Sequence, residues 1–190
     1  MDVDKLKEAT RLFLEAIGED PEREGLLHTP ERVAAMYQEI FAGIGRDPAE
    51  ALDTTFHEDV NGPVIVRDLS FHSVCEHHLL PFFGLAHIAY LPPPGLVVGV
   101  SKLGRVLEVA ARRPQLQERL TNMVADAIER RLGAPGVAVV VEAEHLCMSM
   151  RGLKKPGQRT VTVATRGVYA RDPAARAEVL ALLAPGRVRS

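Results

Sequence analysis

Hydrophobic and polar positions change their period twice along this chain of 190 residues. From Val3 to Ile17 the apolar residues Leu6, Leu12, Phe13, Ala16 and Ile17 recur at helical spacing, and Gly18 ends the run, which predicts an amphipathic helix. A polar connector runs from Asp20-Pro21 to Leu27. His28-Thr29-Pro30-Glu31 then opens a second helix, with Thr29 as N-cap, Pro30 at the first helical position, and Val33, Met36, Tyr37, Ile40 and Phe41 as its stripe. Asp47-Pro48-Ala49-Glu50 predicts a third, short helical start before the turn-rich Asn61-Gly62-Pro63. Residues 1–60 therefore read as a helical arm whose stripes pack on a core or a partner.

From Pro63 the period becomes extended. Val64-Ile65-Val66 with Leu69 and Phe71 predicts one strand, and Gly84 to Leu91 predicts its return, ended by Pro92-Pro93-Pro94-Gly95. Leu96 to Val100 is a short apolar run. Helical spacing resumes from Ser101 to Arg112, is interrupted at Pro114, and continues through Leu116, Leu120, Met123, Val124, Ala127, Ile128 and Leu132 to a C-cap at Gly133. Val137 to Val141 predicts a strand buried on both faces that runs out to His145 and Cys147. Arg159 to Val168 alternates and predicts its antiparallel partner; residues 173–184 predict a last helix. The order strand-strand-helix-helix-strand-strand over residues 61–190 is an α+β arrangement with an antiparallel four-stranded sheet.

Composition narrows the function classes. With 46% hydrophobic residues, 25% charged and a formal net charge of -2, the chain carries no general basic field for nucleic acid or membrane. No apolar run approaches the ~20 residues of a membrane span and the N-terminus lacks an apolar leader, so cytoplasm is the expected compartment. Two cysteines are too few for a disulfide scaffold. They suit a metal-thiolate site.

That chemistry concentrates in Ser73-Val74-Cys75-Glu76-His77-His78-Leu79-Leu80-Pro81. A Cys-x-x-His step lets one turn of backbone aim a thiolate and an imidazole at one zinc ion. The remaining cysteine lies in Glu144-His145-Leu146-Cys147, where an extended strand would point His145 and Cys147 the same way. Cys75, His78 and Cys147 make three ligands and an open position, with His77 and His145 left as proton-transfer groups near neutral pH. Both cysteines with two histidines would instead close a structural site, and spacing leaves both open. Ser101, as helix cap, with Lys102 and with Arg105 one turn on, forms a candidate anion site. Arg151-Gly152-Leu153-Lys154-Lys155 adds a basic cluster beside Cys147. Neither GxxxxGK[ST] nor GxGxxG occurs.

Four strings together resemble the GTP cyclohydrolase I family: Cys75-Glu76-His77-His78, Gly99-Val100-Ser101-Lys102, Ala111 to Thr121, and His145 to Gly152. Thr29-Pro30-Glu31-Arg32-Val33 is similar to that family's arm, and the resemblance runs from about residue 28 to residue 170. Met150 stands where small residues are common in relatives, and Ala35 where many carry a basic one. The resemblance implies hydrolysis of GTP at purine C8 with formate release, giving 7,8-dihydroneopterin triphosphate for folate and pterin synthesis. It implies one zinc per subunit on Cys75, His78 and Cys147, acid/base roles for His77 and His145, and help from Ser101 in an Amadori-type step. Gln117 and Glu118 would meet the guanine edge, and Lys102, Arg105 and Arg151 the triphosphate. The implied fold is the tunnelling fold, with two helices on one face of the sheet, and the implied assembly a homodecamer with active sites between subunits. A zinc-stabilised binding module and a cysteine-nucleophile enzyme on a related purine are the competing expectations.

Overall fold

The computed structural model describes residues 1–184. Helix α1 (Val3–Ala16) starts where the Asp2 carboxylate accepts from the Lys5 N–H. Helix α2 (Thr29–Ile40) has His28 at its N-cap, so Thr29 and Pro30 are its first two residues rather than cap and first turn. The two helices pack on each other within one compact unit, Met1–Ala42. A second unit begins at Gly43. Residues 43–60, grouped by pattern with the arm, thus belong to the same unit as the sheet.

In this second unit a 3-10 turn (Pro48–Ala51), whose Ala49 N–H is capped by Asp47, opens the chain. Among the described residues strand β1 (Thr55–Phe56) pairs only with β4 (Val97–Val98). Between them β2 (Val64–Cys75) and β3 (Pro81–Leu91) form a long antiparallel hairpin with a register shift between Val66 and Leu69. Helix α3 (Val100–Ala111), strand β5 (Pro114–Gln115) and helix α4 (Gln117–Leu132) come next, and Gly133 at φ 62 closes α4 as its left-handed C-cap. The 3-10 turn packs on both helices. Strand β6 (Gly136–His145), the one-turn helix α5 (Leu146–Ser149), strand β7 (Thr160–Gly167), and helices α6 (Val168–Arg171) and α7 (Pro173–Leu183) complete the unit.

The main sheet runs β5-β2-β3-β6-β7. Its four long strands are antiparallel as expected, and β5 adds a fifth, short and parallel to β2. Alternation decides the two faces. Phe71, Phe82, Ala86, Ile88, Tyr90, Val137, Val139 and Val141 share one core with Leu103, Val106 and Leu107 of α3 and Leu120, Val124 and Ile128 of α4. Each large apolar side chain taken fully out of water there contributes about 1.5–3 kcal/mol. The opposite parity, Ala89, Ala138 and Val140, meets Tyr169, Val179 and Leu183, so α7 covers part of the other face. Two helices on one face is therefore incomplete as a description. A side chain at Gly84 would sit 1.9 Å from the Glu142 carbonyl of β6, which is why β3 carries no Cβ there.

Candidate active site

The site forms where one end of the sheet meets the C-terminus of α3 and the N-terminus of α4. Phe71, Ser73 and Cys75 fall on the helix-facing side of β2, and the Ser73 hydroxyl donates to the Ala111 carbonyl at 2.7 Å, tying that side to the last residue of α3. Pro114, which the pattern made the start of the next helix, pairs with Val74 instead, and Gln115 pairs with Cys75. With its N–H-less ring it suits a short edge strand, and α4 begins three residues later. Cys75 and Leu80 close the turn through Cys75 N–H to Leu80 O, and Leu79 N–H returns to Cys75 O, each at 2.9 Å. That single turn sets His78, three residues on, beside Cys75.

The far ligand arrives differently from the extended course expected. His145 ends β6 opposite Phe82, and Cys147 lies inside α5, where Met150 N–H closes the turn onto Leu146 O. Glu144 steadies this turn by accepting from the Ser149 hydroxyl at 2.6 Å and the Gly157 N–H at 3.1 Å, bonds that hold its carboxyl below the usual range. The Cys75 and Cys147 sulfurs are 4.0 Å apart, both free thiols, and ligand atoms of Cys75, His78 and Cys147 all lie within 4.8 Å of one another.

Two thiolates on one tetrahedral zinc stand about 3.8 Å apart for zinc–sulfur bonds of ~2.3 Å, so the donor set fits that ion. Its electrostatics ask for a cation too. Burial and then the neighbouring Cys75 push the Cys147 thiol above its ordinary value, with Arg151 pulling weakly the other way. A dication inverts that balance and stabilises both thiolates. Among the described residues the cluster holds three such ligands, two thiols and one imidazole.

Both expected proton-transfer groups border this set. His77 is exposed, its ring 6.3 Å from that of His78. His145 lies parallel to Phe82 at 4.6 Å and 2°, and its Nε2 is 2.8 Å from Gln117 Oε1. Burial lowers the His145 pKa from the ordinary imidazole value, partly opposed by Glu118. Glu118 is exposed at the start of α4. Gln117 is not beside it in space: successive helical residues point about 100° apart, and Gln117 is 2% exposed with its amide bonded to β6, β7 and His145. The resemblance has this side chain meeting the guanine edge; here its amide is engaged with β6, β7 and His145.

The anion-site residues fall into two groups. Arg151 comes two residues after α5, just past its C-cap Met150. Ser101 is the second residue of α3, with Gly99 at the N-cap and no side-chain cap, so it is not the capping residue expected. Since Ala111 contacts Ser73, Ser101 lies about ten residues or ~15 Å of helix away from the metal end. Ser101 and Arg105 line a cleft of about 380 Å³ with Asp68 and Glu108, and Lys102, largely buried, pairs with Asp53. None of the cysteine or histidine site residues lines this cleft.

Sequence spacing did not single out Arg119, Thr121 or Thr162. Arg119 bonds Glu76 through both terminal guanidinium nitrogens, which holds that carboxylate below its usual pKa. Arg119 stands in the α4 motif, but its partner 43 residues earlier carried no signal.

A family model described as GTP cyclohydrolase I matches residues 6–184. The chain is 56% identical over 183 residues to GTP cyclohydrolase 1 of Brevibacillus brevis, covering 96% of this chain and 98% of that one. It is 57% identical over 183 residues to that of Carboxydothermus hydrogenoformans, covering 96% and 95%, and 59% identical over 183 residues to that of Halalkalibacterium halodurans, covering 96% and 97%. Among solved structures, an apo archaeosine synthase QueF-Like is similar at TM-score 0.46 and 19% identity, over 57% of this chain and 97% of that one. With the family model matched almost end to end and relatives at this identity, the chain belongs to the GTP cyclohydrolase I family.

Proposed function

We propose that this protein hydrolyses GTP at purine C8, releases formate, and rearranges the opened nucleotide to 7,8-dihydroneopterin triphosphate. The observation that carries the reading is the convergence of Cys75, His78 and Cys147 within 4.8 Å beside His77 and His145. Cys75, His78 and Cys147 would hold one zinc per subunit, which when bound supplies Lewis-acid chemistry that makes water nucleophilic near neutral pH. His77 and His145 hold and return protons at the purine ring nitrogens as the two C–N bonds to C8 break. Two hydrolytic cuts consume two waters, and ring closure after the Amadori-type shift returns one. Ser101 assists that shift. Glu118 accepts from the guanine N–H edge, and Lys102, Arg105 and Arg151 hold the triphosphate.

The ~15 Å of helix between Ser101 and the metal end supports a site completed by a second copy, which brings its own Ser101, Lys102 and Arg105 to the first chain's cysteines. Continuation of the sheet across copies, into the barrel and homodecamer of the tunnelling fold, would supply that neighbour. On this reading residues 61–190 carry the chemistry and the arm serves assembly. The compartment is the cytoplasm, and no described helix is long and apolar enough to cross a membrane.

Incubating purified protein with GTP should release formate and give a fluorescent pterin after oxidation. Stripping metal with a chelator should abolish both, and zinc should restore them. A cysteine-nucleophile enzyme would keep its turnover after stripping, and a binding module would release no formate at any stage; either result overturns the proposal.

A further inference from the structure

Gln117 is a buried polar side chain at the site, 2% exposed, and its amide can be oriented from its surroundings. Nε2 lies 3.0 Å from the Val141 carbonyl, 2.9 Å from the Thr160 carbonyl and 3.1 Å from Thr162 Oγ1. Main-chain carbonyls only accept, so the atom facing two of them is the NH2 group. The opposite flip would set an amide oxygen against two carbonyl oxygens in a buried place. The Thr121 hydroxyl donates to the Gln117 carbonyl at 2.8 Å, so the 2.6 Å contact between the two threonine hydroxyls is donated by Thr162, which in turn accepts from Gln117. The two Gln117 amide hydrogens serve the two carbonyls, and Thr162 Oγ1 shares one of them.

Oε1 of Gln117 is therefore the atom 2.8 Å from His145 Nε2, and it only accepts. The proton between them belongs to the imidazole. Phe82, parallel to His145 at 4.6 Å, fixes the plane of the ring, and Gln117 fixes its rotation within that plane.

We propose that Gln117 is a positioning residue that fixes the rotation of the His145 ring and holds it as the Nε2–H tautomer. This rests on the acid/base role of His145 in the proposed hydrolysis. Metal-ligand partners of this orienting kind typically cost about 10–100-fold in activity when removed, and the same range is expected here.

The test uses the whole zinc-loaded protein labelled with 15N-histidine. Its solid-state 15N spectrum, with the His145 signals assigned by their loss in His145→Ala, should show a protonated Nε2 and a bare Nδ1. A ring protonated at Nδ1 overturns the proposal, and this reading needs no turnover, so it stands apart from any failure to hydrolyse GTP. Gln117→Met should lose that signature and lower kcat by about 10–100-fold while KM for GTP and bound zinc stay within about twofold. The double variant Gln117→Met with His145→Ala should be no slower than His145→Ala alone, because Gln117 acts through that ring. Additive losses would mark a merely structural residue and sink the idea. If Gln117→Met does not fold, Thr162→Val, which leaves both carbonyls in place, should give a smaller kcat loss with the same non-additivity.

Discussion

Leu79 shows how much conformational cost the metal turn carries at a single position. Its φ of 54 is left-handed, it is 57% exposed, and hydrogen bonds at Cys75 and Leu80 hold it there. A side chain in that region costs roughly 1–2 kcal/mol, and glycine's extra chain entropy returns about half of that. Leu79→Gly is expected to stabilise the protein by about 0.5–1 kcal/mol, measured by denaturant unfolding with m unchanged. Arg119→Ala acts on the same turn without touching the ligands. Both partners of the Glu76 pair are partly exposed, so the melting temperature should hardly move, while zinc affinity falls because the turn between Cys75 and His78 loses its tether to α4. Competition with a chromophoric chelator measures that affinity. The Cys75, His78 and Cys147 cluster was legible in the sequence as one of two candidate ligand sets, because the Cys-x-x-His step and the lone second cysteine leave few ways to assemble ligands. The bonding of Gln117 was not, although the resemblance named the residue, since its neighbour Glu118 in sequence points elsewhere and its partners lie in β6 and β7.

Elements, rather than single residues, set the register that brings Cys75 and His145 to one end of the sheet. Phe82 of β3 pairs with Ser73 on one side and His145 on the other, so a slip of either strand would move a site residue to the opposite face. Gly84 is the point where β3 approaches β6 most closely. Gly84→Ala should cost about 3 kcal/mol, because the clash is with backbone and cannot be relieved by a rotamer, and thermal unfolding would record it. Tyr90 does comparable work at the far end, where its hydroxyl accepts from the buried Val98 N–H at 3.1 Å and secures β4. Burial raises the pKa of that phenol above its ordinary value. The bonded, neutral form contributes its stability fully below the unfolded value of ~10 and loses it as pH rises through the folded value, so Tyr90→Phe should be less stable than wild type at neutral pH and the gap should narrow in alkali. The long strands and helices were readable from periodicity. Strand β5 and the turn α5 were not, because two and four residues are too few to carry a period.

At the scale of the whole molecule, the sheet ends in strands that no described strand of the second unit pairs on their outer side. Along β7, the last strand, Val161 and Val163 stand about half exposed, an apolar edge of the kind that folded proteins pair or protect. The candidate groups are divided in the same sense, with the Cys75, His78 and Cys147 cluster near the C-terminal end of α3 and Ser101 and Arg105 in its N-terminal half. A head-to-tail arrangement of copies satisfies both features, since it pairs unlike edges and sets one chain's anion site against the next chain's metal site. Mixing distinguishes this from a site contained in one chain. Cys147→Ala and Arg105→Ala should each be nearly inactive as pure assemblies, the first lacking a ligand and the second a triphosphate contact. Co-assembled in equal amounts, about a quarter of the interfaces join an intact metal half to an intact anion half, so about a quarter of wild-type formate release should return. A site built from one chain alone leaves every site damaged, and the mixture would then stay as inactive as its components.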